Sequence, residues 1–240
     1  MSLLALDGVS KRYVDGRREI AVLDDVSVEI DAGDFVGIWG VRRSGKSTLL
    51  RVASGEEMPD AGSIRFDGEE ITRMSPNRRS RLHRHGGIGI MSSDWRPARN
   101  KPAVEHVALP LLSDGMSLHQ ARAPAWRALE RADIAGCAHV PADRLSNSER
   151  IRVGLAQALV REPRVLLVDE PAVLLRPSEG AALYELLQSL GRDRDLAIVV
   201  TSEDVAPIRT ARRMFTIDSG RLRAMDEPGT VVELRDRQHR

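Results

Sequence analysis

The stretch that decides the fold reads Gly40-Val41-Arg42-Arg43-Ser44-Gly45-Lys46-Ser47-Thr48, which fits the phosphate-binding pattern G-x-x-x-x-G-K-[ST]. The apolar run 35–39 before it predicts a buried strand, and the run 47–52 after it predicts the start of a helix. In this setting the glycines let backbone N–H groups surround a polyphosphate, and the helix N-terminus adds about half a positive charge. The alternative is a chance glycine-rich turn, but the flanking strand and helix favour nucleotide binding.

Two side chains of this stretch suit a nucleotide in particular. Lys46 can reach the β- and γ-phosphates, and the Ser47 hydroxyl can ligate Mg²⁺. We therefore predict a binding loop made of the nine consecutive residues Gly40, Val41, Arg42, Arg43, Ser44, Gly45, Lys46, Ser47 and Thr48.

Composition limits the function classes that remain. The chain has 240 residues and a formal net charge of +1, which argues against a dominant nucleic-acid footprint. A single cysteine, Cys137, excludes an internal disulfide framework and fits a reducing cytosol. No apolar run approaches the roughly 20 residues that span a bilayer, and the start at Met1 lacks the basic residues of a signal peptide. We expect a soluble protein, for which any membrane role must come through a partner.

Strand patterns alternate with helical patterns along the chain. Apolar and β-branched runs predict strands at 3–6, 21–23, 26–30, 87–91, 165–170, 196–201 and 214–217. Helical spacing predicts helices at 103–112, 118–132 and 147–160, with Pro110 and Pro124 as interruptions, and a weak helix from Pro76 within an arginine-rich run best explained as a solvated face. This alternation predicts an α/β fold with a parallel sheet covered on both faces and a helical insert in the middle.

A pair of carboxylates ends one apolar strand, in Asp169-Glu170-Pro171. Asp169 can hold Mg²⁺ through water opposite Ser47. Glu170 is then placed to orient or deprotonate an attacking water. Acidic residues often end strands, so the pair is informative mainly because a phosphate loop precedes it by about 120 residues.

A third segment reads Leu145-Ser146-Asn147-Ser148-Glu149. Ser146 and Glu149 have the S-x-x-E spacing of a capping box that opens a helix. A capped helix start presents free N–H groups that can bind a phosphate, although this segment alone favours the simpler interpretation of a well-capped helix.

These three motifs come in the order and spacing of ATP-binding-cassette (ABC) ATPases, and the chain resembles that family over nearly its whole length. The segments 9–13 and 105–112 look most like the group that serves lipoprotein release, macrolide export and cell-division permeases. The resemblance implies a single domain over 1–240: a P-loop NTPase with a RecA-like parallel sheet core and a small antiparallel β subdomain (1–91 and 161–240), and a helical signature subdomain (92–160).

The resemblance also implies an assembly and its location. Family members form a nucleotide-sandwich dimer, in which each ATP lies between the phosphate loop of one subunit and the signature serine of the other. Closure drives an integral membrane permease, so the chain is expected on the cytoplasmic face of the cell membrane, peripherally attached through the permease. Homodimer and heterodimer with another ABC ATPase both remain open.

Residue roles follow from the same resemblance. Lys46 and Ser47 hold phosphate and Mg²⁺, Asp169 assists the metal, and Glu170 is the catalytic base. Ser146 contacts the γ-phosphate of the ATP held by the partner.

Tyr13 lies near the start of the chain in Ser10-Lys11-Arg12-Tyr13. An aromatic ring there can stack on adenine, which is the role that the resemblance implies. The alternative is that Tyr13 only packs on a small sheet.

The chain departs from the family pattern at two polar positions near the phosphates. Ser93 stands where the family has a glutamine that touches Mg²⁺ and the attacking water, and Ser202 stands where it has a histidine that donates to the γ-phosphate. A short hydroxyl cannot span the distance that the longer side chain spans without a bridging water. Losing one such donor costs about 10²–10³ in rate.

Further departures affect the signature, the dimer seam and the phosphate loop. Asn147 and Ser148 replace two signature glycines, and Arg176 stands in place of an aspartate. Arg43 replaces a glycine and is strained if that position needs a positive φ.

These departures predict an ATP-binding subunit that hydrolyses weakly or only with its partner. Three function classes remain: the energising subunit of a transporter, a nucleotide-dependent regulatory or structural subunit that scarcely hydrolyses, and a nucleic-acid-associated ABC ATPase. Against the last, there is no room for a long coiled-coil insert, and one cysteine cannot build a four-cysteine zinc module.

Overall fold

The computed structural model describes residues 2–16, 18–92, 96–97, 100–192, 195–227 and 230–231. Its strands are β1 (Leu4–Asp15), β2 (Arg18–Ile30), β3 (Phe35–Trp39), β4 (Ala61–Phe66), β5 (Glu69–Glu70), β6 (Ile88–Met91), β7 (Val165–Val168), β8 (Ala197–Ser202), β9 (Arg213–Asp218), β10 (Arg221–Glu227) and β11 (Thr230–Val231). Its α-helices are α1 (Lys46–Ala53), α2 (Pro76–Arg84), α3 (Ala103–Ser113), α4 (Leu118–Arg131), α5 (Asn147–Leu159) and α6 (Pro177–Leu190). Short 3₁₀ turns cover Ile71–Arg73, Ala135–Cys137, Ala142–Arg144 and Ala206–Ile208.

The larger sheet has the strand order β11-β10-β9-β3-β8-β7-β6. Its five strands from β9 to β6 are parallel, and β10 and β11 extend it antiparallel at one edge. Parallel strands run through the interior with both faces covered, so their sequences are continuous apolar runs. The predicted α/β fold with a parallel core is confirmed.

Alternate residues of the central strands supply two separate hydrophobic cores, one on each face of the sheet. In β7, Leu166 and Val168 belong to the core that contains α3 to α6. Val165 and Leu167 belong to the core that contains α1 and the smaller sheet. The two-residue period of a strand explains this division, because successive side chains point to opposite faces.

The smaller sheet is antiparallel, with the order β2-β1-β4-β5. Both β1 and β2 are longer than the short apolar runs 3–6, 21–23 and 26–30 predicted. They form one continuous hairpin up to the pair Asp15 and Arg18. The outer half of this hairpin is exposed, so its residues lack the apolar pattern on which the prediction relied.

Helices α3 and α4 continue through Pro110 and Pro124, so the predicted interruptions were wrong. A proline lacks the N–H that would bond the carbonyl four residues earlier. In α3 that carbonyl belongs to His106, and it accepts instead from Gln157 Nε2 at 2.9 Å. In α4 the fully buried Ala121 and Leu129 pack into the core, and this packing offsets the cost of the proline.

Among the described residues, no helix has the length and apolar character needed to cross a bilayer.

Candidate functional site: the edge of the parallel sheet

The carboxyl ends of parallel strands β3, β6, β7 and β8 meet at one edge of the sheet. The phosphate loop follows β3, and Asp169 and Glu170 follow β7. Backbone bonds attach each segment to a neighbouring strand end: Gly40 N donates to Ser202 O of β8 at 3.2 Å, and Asp169 N donates to Met91 O of β6 at 2.9 Å. The sheet topology therefore brings together residues that lie about 120 positions apart in sequence.

Two glycines of the phosphate loop lie where no side chain fits. Gly45 has φ 109°, and a Cβ there would lie 2.7 Å from Val22 O. A Cβ on Gly40 would lie 2.5 Å from Ser44 Oγ. That hydroxyl oxygen is buried and has no hydrogen-bond partner within the described part of the chain. A buried polar atom without a partner is costly, so its presence in the loop fits a site that receives a polar ligand such as a phosphate.

Lys46 lies at the start of α1 with only 3% of its surface exposed. Its Nζ donates to Gly40 O at 2.6 Å and to Val41 O at 2.8 Å. It also lies 3.0 Å from Glu170 Oε1. Because an ammonium group has three donors, these three acceptors satisfy Lys46 from within the protein.

Asp169 is buried against two hydroxyl groups. Ser47 hydrogen-bonds its carboxylate, and Thr201 Oγ1 donates to its Oδ1 at 2.8 Å. Burial raises the pKa of Asp169 above its ordinary value, and the bonds from Ser47 and Thr201 oppose that rise. Ser47 is itself exposed, so the hydroxyl and carboxylate meet at the open side of the loop. Such oxygens are the ligands that Mg²⁺ prefers, and the pair fits that ion.

Glu170 has φ 44°, a left-handed conformation that is uncommon for a residue with a side chain. Its backbone N–H donates to Thr201 Oγ1 at 3.0 Å. Strained backbone of this kind costs about 1–3 kcal/mol and concentrates at functional sites.

Arg43 has φ 64° and is exposed. This position therefore has the positive φ that favours glycine, so Arg43 is strained there as expected. The left-handed conformation costs a non-glycine residue about 1–2 kcal/mol.

Tyr13 lies in β1, directly across from Ile20 of β2. Its hydroxyl donates to Glu57 Oε2 at 2.7 Å, and Arg51 Nη2 of α1 donates to it at 3.4 Å. Burial first, and then the bond to Glu57, raise the pKa of Tyr13. The ring is thus fixed beside the helix that follows the phosphate loop, and its stacking on adenine stays a prediction.

Ser146 caps the start of α5, where it is bonded to Glu149 of the same helix. Its hydroxyl and backbone N–H both donate to Glu149 Oε2 at 2.8 Å, and Glu149 N donates back to Ser146 Oγ at 3.3 Å. The predicted capping box is confirmed. A cleft of about 830 Å³ is lined by Asn147 of α5 and by Arg42 and Glu170 of the sheet edge.

The residues that depart from the family pattern differ in their exposure to solvent. Ser202 is buried, and its hydroxyl accepts from Asp204 N at 3.1 Å and contacts the Tyr184 hydroxyl. Asn147 and Arg176 are exposed. Ser93 lies outside the described residues.

Sequence reasoning gave no role to Thr201, which touches both carboxylate residues. The available signal was a hydroxyl residue near the end of a strand that is otherwise apolar up to that point. Its importance depends on the pairing of β7 with β8, which sequence alone does not supply.

The chain matches known proteins over most of its length. Residues 23–173 match the family described as ABC transporter. The chain is 34% identical to the lipoprotein-releasing system ATP-binding protein LolD of Shewanella sp. (strain MR-4), over 94% of this chain and 97% of that protein. It is 32% identical to the macrolide export ATP-binding/permease protein MacB of Chromobacterium violaceum, over 94% of this chain and 35% of that protein.

A solved structure supports the same assignment. The dimeric post-hydrolysis state of the ATP-binding cassette MJ0796, bound to ADP and Pi, aligns with a TM-score of 0.83 and 27% identity. The alignment covers 97% of this chain and 99% of that one. The chain therefore belongs to the ABC transporter family.

Proposed function

We propose that this chain is the ATP-binding subunit of an ABC transporter complex and energises an integral membrane permease from the cytoplasmic side. The observation that carries the proposal is the sheet edge itself, where Lys46, the Ser47–Asp169 contact and Glu170 meet. The relatives LolD and MacB are ATP-binding proteins of export or release systems, which supports the same function.

The residues present fit Mg·ATP. When bound, Mg·ATP supplies the phosphoanhydride bond that is cleaved. Backbone N–H groups from Gly40 to Thr48 receive the phosphates, and the Ser44 hydroxyl is available to one of them. Ser47 and Asp169 hold the magnesium ion, and Tyr13 stacks on the base.

Glu170 serves as the base in this proposal. Its carboxylate accepts a proton from the attacking water, and Lys46 gives up its contact with Glu170 Oε1 in order to reach the phosphate. Residues 92–160 act as the helical signature region of a single ATPase domain.

We further propose that the chain acts as a dimer, with itself or with another ABC ATPase. Asn147, which follows the signature serine Ser146, lines a cleft together with Arg42 of the phosphate loop. A second subunit supplies the missing contact to the γ-phosphate. The MJ0796 cassette is dimeric, which supports this arrangement.

Hydrolysis is weak or depends on the partner in this proposal. Ser202 occupies the place of a longer donor, and its hydroxyl is already engaged by Asp204 N and Tyr184. That engagement also favours a second candidate function, a subunit that binds nucleotide and regulates a membrane complex while scarcely hydrolysing. Turnover measured with and without the permease separates the two candidates.

The decisive experiment is titration of the purified chain with Mg·ATP. We expect saturable binding that Lys46→Ala abolishes and that Lys101→Ala, at an exposed lysine outside the loop, leaves intact. Absence of saturable binding in the wild type would contradict the proposal. A turnover rate of the isolated chain typical of transporter ATPases, abolished by Glu170→Gln, would contradict weakened hydrolysis while leaving ATP binding in place.

A further inference from the structure

Thr201 is completely buried in β8, yet its hydroxyl makes two directed hydrogen bonds. Oγ1 lies 2.8 Å from Asp169 Oδ1 and 3.0 Å from Glu170 N. The backbone N–H of Glu170 can only donate, so the hydroxyl accepts there and its own proton points to Asp169. One side chain thus bonds two consecutive residues of the neighbouring strand end.

The position of Thr201 is set by the pairing of the central strands. Val168, the last residue of β7, pairs with Val200 of β8, so Thr201 comes opposite the chain just where β7 ends. On its other side Thr201 pairs with Ile38 of β3. The residues before it in β8, 197–200, are all apolar and buried. A hydroxyl in such a strand is costly to bury unless it is hydrogen-bonded.

The two bonds control different properties of the carboxylate pair. The bond to Asp169 fixes the direction of the carboxylate that also contacts Ser47. The bond from Glu170 N holds a backbone with φ 44°, which is otherwise unfavourable. Without the hydroxyl, the Asp169 carboxylate loses one of its two hydroxyl contacts and the Glu170 backbone loses its acceptor.

We infer that Thr201 is a positioning residue that orients the Asp169 carboxylate for the magnesium ion of the bound nucleotide and holds the backbone of Glu170, the proposed base. This inference rests on the proposed function, because it presumes that the chain binds Mg·ATP. Groups that hydrogen-bond a metal ligand orient it, and their loss typically weakens metal binding about 10-fold to 100-fold.

The test compares nucleotide affinity with and without magnesium in the full-length chain. A fluorescent ATP analogue is titrated in excess Mg²⁺ and again in EDTA, for wild type, Thr201→Val and Thr201→Ser. Valine keeps the shape and removes the hydroxyl, whereas serine keeps the hydroxyl. We expect Thr201→Val to lose about 10-fold or more of the magnesium-dependent gain in affinity while its affinity in EDTA stays within about twofold. Thr201→Ser is expected to retain the gain.

Ser54→Ala is the matched control for a purely structural role. Ser54 is also buried, and its hydroxyl likewise donates one bond, to Arg51 O, and accepts one, from Glu56 N. The Ser54→Ala variant is expected to lower the melting temperature without changing the magnesium-dependent gain in nucleotide affinity. A second readout is hydrogen exchange of the Glu170 amide in the free protein, which we expect to quicken in Thr201→Val and to be restored in Thr201→Ser.

The outcomes separate the two proposals. Wild type that binds no nucleotide in either condition contradicts the proposed function. If magnesium raises the nucleotide affinity of the wild type and of Thr201→Val equally, the proposed role of Thr201 is overturned. If Thr201→Val does not fold, Thr201→Ser decides: loss of the magnesium-dependent gain despite the retained hydroxyl also overturns it.

Discussion

Lys46 Nζ of the phosphate loop lies 3.0 Å from Glu170 Oε1, and the two side chains are 2% and 18% exposed. The carboxylate that we propose as the catalytic base therefore forms an ion pair with the lysine that we propose for phosphate binding. Nucleotide binding has to separate this pair.

Glu170→Gln removes the charge that competes for Lys46. We expect it to tighten binding of Mg·ATP by about fivefold, which corresponds to about 1 kcal/mol for a partly exposed ion pair. Calorimetric titration measures the change. Glu203→Gln is the control, because Glu203 lines the same cleft without forming that ion pair. Weaker binding in Glu170→Gln than in Glu203→Gln would show that the pair does not compete with the nucleotide.

Arg43→Gly is expected to stabilise the nucleotide-free protein. Glycine relieves the left-handed strain of about 1–2 kcal/mol but adds chain entropy in the unfolded state, so the net gain is about 0.5–1 kcal/mol. For a chain of this size the melting temperature rises by about 1–3 °C. Arg42→Gly, at an exposed neighbour without a positive φ, is expected to lower it instead. Equal shifts of the melting temperature in the two variants would contradict the backbone strain at Arg43.

Gly45→Ala tests the close approach of the phosphate loop to β2. The added methyl group would lie 2.7 Å from Val22 O at a φ of 109°, so we expect a loss of about 3 kcal/mol and loss of nucleotide binding. Gly16→Ala separates strain from clash, since Gly16 has φ 62° and open space around it. Its expected cost is about 1 kcal/mol in chemical denaturation. Similar costs for the two variants would mean that the loop can move away from Val22.

Glu149 makes the stability of α5 depend on pH. The backbone N–H of Ser146, and then its hydroxyl, lower the pKa of Glu149 below its ordinary value of 4.5. The ionised carboxylate therefore stabilises the fold above the unfolded pKa, and this contribution is lost as the pH falls through the folded pKa. Glu149→Gln is expected to cost about 0.5–1 kcal/mol at pH 7 and progressively less below about pH 4.5 in urea unfolding.

Helix α4 provides the control for this pH dependence. Its capping box has the same geometry with Ser117 and Gln120, which does not titrate. Gln120→Glu is expected to add stability at pH 7 that disappears in acid, the reverse of Glu149→Gln. A pH-independent cost of Glu149→Gln would contradict the assignment.

Gln157→Leu removes the donor to the His106 carbonyl that Pro110 leaves without its helical bond. We expect a cost of about 1–3 kcal/mol, because the carbonyl of the buried His106 loses this hydrogen bond. In a Pro110→Ala background the restored N–H bonds His106 itself, so the same change is expected to cost less. A double-mutant cycle by urea unfolding measures the coupling between positions 110 and 157, and additive effects would refute it.

The sequence predicted the helices of the insert to within one residue at each end, because their apolar positions recur at helical spacing. The sequence predicted strand lengths poorly where the strands are exposed to solvent and lack an apolar pattern, as in the outer half of the β1–β2 hairpin. It also placed breaks at Pro110 and Pro124, since a local rule does not include the side chain of Gln157 or the packing of α4.

By itself the sequence determined the phosphate loop, the carboxylate pair, the capped start of α5 and the parallel core. The first three depend on neighbouring residues, whose spacing fixes local geometry, and the parallel core follows from the alternation of strand and helix patterns along the chain. Only the tertiary structure decided that Thr201 bonds both Asp169 and Glu170 and that Lys46 pairs with Glu170. Those relationships depend on which strands pair and in what register, and this is set by packing between segments far apart in the chain.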